Sequence, residues 1–214
     1  MVYFEKSQPA PNISNTHNSQ EVLDRLEKDF CNKCYICEEK EPQNINIEHF
    51  ISHQGDRQLR LSWNNLFLSC RHCNDIKSTT FDNLLNCTVL SDYVDTSIHY
   101  YCQPMPKEKP IFKVLIVSDK AEETKELLEK CFNGEHTAQK ALESSSLRSS
   151  LLKELRVFQN LLFDYYENQD NEYFLVKIKE HLSKRSAFTA FKRWIIRDNI
   201  HLENEFQQYI GNQP

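Results

Sequence analysis

Glycine is scarce in this 214-residue chain: only Gly55, Gly134 and Gly211 occur. Average usage of about 7% would place roughly 15 in a chain of this length. Glycines so far apart cannot write G-x-G-x-x-G or G-x-x-x-x-G-K-[ST], so the usual loops that cradle a nucleotide's phosphates are missing. Any nucleotide hydrolysis in its biology is expected from a partner. Long apolar runs are missing too. No 18 consecutive apolar residues occur, which excludes a membrane-spanning helix. The opening Met1-Val2-Tyr3-Phe4-Glu5-Lys6 has no basic segment followed by an apolar stretch, so no secretory signal is read, and a cytoplasmic, bacterial setting is expected. Positive charge is not in excess: 26 Lys+Arg stand against 31 Asp+Glu, a net −5. Such a chain is not built to coat nucleic acid by bulk charge.

Cysteine, by contrast, is present eight times: Cys31, Cys34, Cys37, Cys70, Cys73, Cys87, Cys102 and Cys131. Without a secretory signal, close pairs point to metal more than to disulfides. Cys34-Tyr-Ile-Cys37 and Cys70-Arg-His-Cys73 are two C-x2-C knuckles. Two knuckles complete a tetrahedral site with no open position, as for a structural zinc that staples a fold with little core of its own. Cys31 and His72 compete as ligands. Cys87, Cys102 and Cys131 are isolated and read as plain buried residues.

Glu48-His49 ends an alternating apolar run with Ile45 and Ile47, so it falls on a strand. WNNLFLSC reads as a second strand carrying Asn65. After Cys73, the Cys-Asn-x-x-Lys stretch with Asn74 and Lys77 reads as the start of a helix. Phosphodiester cleavage needs a base, a cation to stabilise charge on the phosphate, and orientation. His49 has a reference pKa near 6.5 and suits the base. Glu48 and the carboxamide oxygen of Asn74 are hard ligands suited to Mg2+ or Mn2+. Adjacent strand residues face opposite ways, so periodicity alone does not bring Glu48 and His49 together. The order strand-His, strand with Asn, helix with Asn, inside a four-cysteine frame, resembles the HNH nuclease family and its ββα-metal site. That resemblance implies a shared site in which Glu48, His49, Asn65 and Asn74 are catalytic and Glu48 with Asn74 holds Mg2+ or Mn2+. Asn65 would hold the loop carrying His49 through backbone hydrogen bonds. His53, Arg71 and Lys77 are candidates for nucleic-acid contact.

A narrower resemblance runs through IEHF, WNNLFLSCRHCNDIK and the helical stretch from ETKELLEKCFNGEHT onward. It is to the HNH subunit (PtuB) of Septu-type anti-phage systems, including those attached to retrons. It implies an ABC/SMC-like ATPase partner (PtuA), and in some settings a retron reverse transcriptase with its msDNA.

The fold class expected is α+β: a small ββα module on a four-cysteine zinc site, then a mostly helical region. Residues 1–19 are polar and read as a flexible arm. Residues 20–118 form the nuclease module, beginning with a short amphipathic helix over 20–32 and ending in irregular structure with a strand or two. Residues 119–214 are helical, with helices over 120–133 and 136–168 and two shorter ones after them. From Lys177 to Arg197 seven basic residues stand against Glu180 alone. Lys184, Arg185, Lys192 and Arg193 are therefore candidates for phosphate contact, weighed against a solvated helical face. DNA is the default substrate, with RNA such as transfer RNA as the alternative. A non-catalytic zinc module that binds nucleic acid or protein is the competing reading.

Overall fold

The structure is a computed structural model in which residues 1–13, 16–135, 137–168 and 171–211 are described. Helix α1 (Gln20–Asp29) starts at Ser19, whose hydroxyl accepts from the Val22 amide, and buries Val22 and Leu26. Strand β1 (Ile45–His49) pairs antiparallel with β2 (Leu66–Cys70), with Ile45 opposite Cys70 and His49 opposite Leu66. One-turn helix α2 (Arg57–Arg60) lies in the connection between them. Helix α3 (Arg71–Lys77) leaves β2 directly, with Cys70 as its N-cap. This is a ββα unit.

A second two-stranded antiparallel sheet, β3 (Ile98–Tyr101) with β4 (Ile111–Val114), lies between α4 (Asp119–Asn133) and the later helices. Then come α5 (Ala138–Glu167), α6 (Glu172–Leu182), α7 (Thr189–Arg197) and α8 (Ile200–Ile210). Helix α5 runs about 45 Å at 1.5 Å per residue. Its buried stripe, Leu147, Leu151, Leu155, Phe158 and Leu162, spans two apolar clusters. The larger holds the ββα unit, β3, β4 and α4; the smaller gathers Phe158, Ile178, Leu182, Ile196, Phe206 and Ile210. Helix α8 was not anticipated. Its signals are Asn199, which caps the His201 and Leu202 amides, and Phe206 and Ile210 four residues apart.

The expected flexible arm is corrected over its first part. Val2 and Phe4 are fully buried, Phe4 N donates to Cys87 O at 2.8 Å, and the Phe4 ring packs on Phe30. Lys6 Nζ donates to the Trp63 and Leu66 carbonyls and lies 4.0 Å over the Trp63 ring. A polar composition hid this because a few apolar side chains are enough to anchor such a segment.

A buried ionic knot ties the first knuckle to the helical region. Glu38 lies 3.5 Å from Lys33 Nζ and 3.4 Å from the Met1 amine, and accepts from Ala190 N at 3.0 Å. Burial alone would raise the Glu38 carboxyl. Lys33, the amine and the Ala190 amide outweigh it and hold the group at about 2.

Candidate active site and four-cysteine centre

The four thiols of Cys34, Cys37, Cys70 and Cys73 lie within 4.8 Å of one another and are buried. The first knuckle docks on β2 through Tyr35 N to Leu68 O at 2.9 Å, and its turn closes through Glu38 N to Cys34 O at 2.9 Å. The second bridges the end of β2 and the first turn of α3, with Cys73 N donating to Cys70 Sγ. Cys37 Sγ and Cys70 Sγ are 3.9 Å apart. Two thiolates on a tetrahedral zinc with Zn–S near 2.3 Å would sit about 3.8 Å apart. The donor set therefore fits a four-coordinate thiophilic cation. Cys31 lies outside the cluster. So does His72, whose Nε2 donates to Cys131 O and whose Nδ1 faces Glu143, both at 2.8 Å. Cys87, Cys102 and Cys131 are buried free thiols.

His49 ends β1 and is partly buried. Its Nε2 lies 3.0 Å from Arg60 O. A carbonyl only accepts, so Nε2 carries the proton and Nδ1 is left with a free lone pair. Burial lowers the His49 pKa; the Arg60 carbonyl opposes this, while His17, His53 and Lys77 lower it further. The ring is neutral at neutral pH, as a proton acceptor must be.

Asn65 holds this arrangement from beneath. Its Oδ1 accepts from Ile51 N at 2.8 Å, and its Nδ2 donates to Ile51 O at 2.9 Å and Leu59 O at 3.1 Å. Both ends of the loop between His49 and Arg60 are thus clipped to one buried side chain. Lys6, donating to the carbonyls of Trp63 and Leu66, braces the backbone on either side of it.

Glu48 is corrected. It is 5% exposed and its Oε1 lies 2.8 Å from Lys77 Nζ. Strand alternation turns it to the face opposite His49. Its Oε2 is buried without a hydrogen-bond partner among the described residues. Burial raises its carboxyl to about 7 despite Lys77. A divalent cation there would meet the Lys77 ammonium at close range, so Glu48 does not fit the role of cation ligand in this geometry. Nor do the described residues hold a second cluster of three or more His, Cys, Asp or Glu ligands. Asn74 lines a cleft of about 390 Å³ with His17, Asn46 and Ile47, and Glu48 is not among the lining residues.

Lys77 is likewise corrected: it is fully buried and donates to His49 O at 3.1 Å, so its ammonium pins the end of β1 and cannot meet a substrate. Lys192 and Arg193 are corrected on the same ground. Lys192 is fully buried on Glu154, His181 and Ser186, and Arg193 binds Asp95 and Leu182 O. Arg71 and Arg185 are exposed, and Lys184 is partly so. His53 lies beside His49, ring centroids 4.7 Å apart. Sequence reasoning missed two contributors. The Arg60 carbonyl has no side-chain signature, and His17 sits in a stretch whose composition reads as a flexible arm.

Against known proteins, residues 31–80 match the family model of the HNH endonuclease. No curated protein matches the chain, and no solved structure does. Divalent metal use is a property of HNH nucleases, and the four-cysteine frame falls inside the matched span. Residues 31–80 therefore match an HNH endonuclease domain, and that domain implies nuclease hydrolase activity.

Proposed function

We propose that the chain is a divalent-metal-dependent endonuclease that hydrolyses phosphodiester bonds of DNA, with His49 as its general base and a zinc ion in the four-cysteine centre. The observation that carries this is the His49–Arg60 hydrogen bond, which fixes the tautomer and leaves Nδ1 as acceptor. A water held at Nδ1 gives up its proton there as its oxygen attacks phosphorus. The P–O bond to the leaving oxygen breaks, and that oxygen takes a proton from solvent. Asn65 is a positioning residue: it holds the Leu59–Arg60 turn that orients the imidazole. Zinc bound by four thiolates has no open position, so its part is to hold the knuckles. A divalent cation, when bound, would stabilise charge on the phosphate and the leaving oxygen, and Glu48, turned to Lys77, is not assigned to hold it.

The wider setting is part of the same reading. The nuclease acts as effector of an anti-phage complex of the Septu type, with an ABC/SMC-like ATPase as partner and, in retron-linked forms, a reverse transcriptase and its msDNA. The narrower sequence resemblance supports it, as does the want of glycine phosphate loops in a chain with three glycines. The test is cleavage of plasmid DNA, single-stranded DNA and transfer RNA in Mg2+ and in Mn2+, with and without the purified ATPase. DNA products formed by the wild type and not by His49→Ala support the reading, and products from transfer RNA alone overturn the substrate assignment.

A further inference from the structure

His17 stands 32 residues before His49 and outside the span that matches the nuclease family. The two rings meet edge to face, with centroids 4.5 Å apart. His53 also meets His49 edge to face, at 4.7 Å. His17 is brought there by a short run anchored nearby: Asn18 N donates to Thr16 Oγ1 at 3.1 Å, and Ser19 caps α1. Its ring is half-buried, and neither nitrogen has a hydrogen-bond partner among the described residues. Both are open to a ligand.

The surroundings favour an anion. The charged groups that act on the His17 and His49 rings are Arg60, Lys77 and the imidazoles themselves. The nearby carboxylates are occupied elsewhere: Glu48 on Lys77, Asp82 on Ser52 N at 2.8 Å, and Asp56 on Gln58 N at 2.6 Å. His53 Nδ1 accepts from Gly55 N at 3.1 Å, so its Nε2 carries a proton and can donate outward.

We infer that His17 is a substrate-binding residue of the nuclease site, which with His53 donates N–H hydrogen bonds to non-bridging oxygens of the scissile phosphate while His49 faces the attacking water. The inference rests on the nuclease reading above and deepens it. It brings His17, just before α1, into the active site.

Substitution separates this from packing and from cation binding. His17→Gln keeps an N–H donor; His17→Phe keeps the aromatic edge against His49 and loses the donor. We expect kcat/KM to fall at least tenfold in His17→Phe and His17→Ala, with partial recovery in His17→Gln. The Mg2+ or Mn2+ concentration for half-maximal rate should not move. Full activity in His17→Phe would reduce His17 to packing, and rescue of His17→Ala by raised cation would make it a metal ligand; either overturns the inference. A second readout needs no turnover. In the zinc-loaded wild type, titration with inorganic phosphate should shift the ring resonances of His17 and His53, and it should leave His53 alone responding in His17→Phe. Absence of cleavage of all three nucleic acids, with and without the ATPase, would sink the nuclease reading, whereas an unresponsive His17 ring in the phosphate titration would sink this one.

Discussion

Replacing Asn65 by Ala should separate the two things that this side chain does. It removes three hydrogen bonds of 2.8, 2.9 and 3.1 Å. It leaves the Ile51 amide and the Ile51 and Leu59 carbonyls without them in a partly buried loop. At about 1 kcal/mol net for each, the loss of stability is about 3 kcal/mol. For a chain of this size that corresponds to a fall of roughly 6–12 °C in Tm. Asn65→Asp should be no milder, because the Ile51 amide keeps its acceptor while a carboxylate faces two carbonyl oxygens. Activity should fall further than folding explains. Measured well below the melting transition, where both proteins are folded, cleavage should drop by about 10²-fold, the scale of a misplaced general base. The Arg60 carbonyl that fixes the His49 tautomer hangs on the turn that Asn65 clips. The assays are urea unfolding followed by circular dichroism, and single-turnover cleavage of labelled DNA. An Asn65→Ala protein less stable by under 1 kcal/mol and cutting at the wild-type rate would refute the reasoning.

Three further outcomes follow from the same structure. Glu38 titrates at about 2 in the folded chain against an ordinary 4.5. A depressed carboxyl adds stability that is fully present above 4.5 and fades as pH falls toward 2, by roughly 3 kcal/mol in all. Urea midpoints at pH 6, 4 and 3 should show that decline in the wild type. Glu38→Gln, which strands Lys33 and the Met1 amine, should be weaker at pH 6 and lack most of it. Elemental analysis should find one zinc per chain, lost in Cys73→Ser and kept in His49→Ala, and a strong chelator should melt the ββα unit. Lys192→Met should lower the urea midpoint but leave the slope of log affinity against log salt unchanged, since the ammonium is buried; a slope reduced by about 1 would put Lys192 on a phosphate after all.

The parts of the site that the sequence made legible are those with a local rule. Two C-x2-C pairs can converge only if the chain folds back between them, and the β1–β2 pairing does that. Asn65 was placed as a loop holder because the family pattern puts an amide at that point, and its backbone hydrogen bonds are those of such a holder. Glu48 was harder. Motif and strand alternation pointed in opposite directions, and the structure follows alternation because a buried Lys77 requires a counter-charge. The basic run from Lys177 to Arg197 misled in part, because a charge count carries no burial: Lys192 and Arg193 point inward to Glu154 and Asp95. Contacts between distant segments had no local signal. Met1 with Glu38, Lys6 with Trp63 and His17 with His49 are set by tertiary packing alone.

The most direct test of the assigned chemistry is cleavage of labelled DNA by wild type and His49→Ala in parallel, in Mg2+ and in Mn2+, with the zinc content of both proteins matched. The expected result is product from the wild type alone, with the His49→Ala protein folded and its zinc in place. Equal cleavage by both proteins would contradict the assignment of His49 as the base.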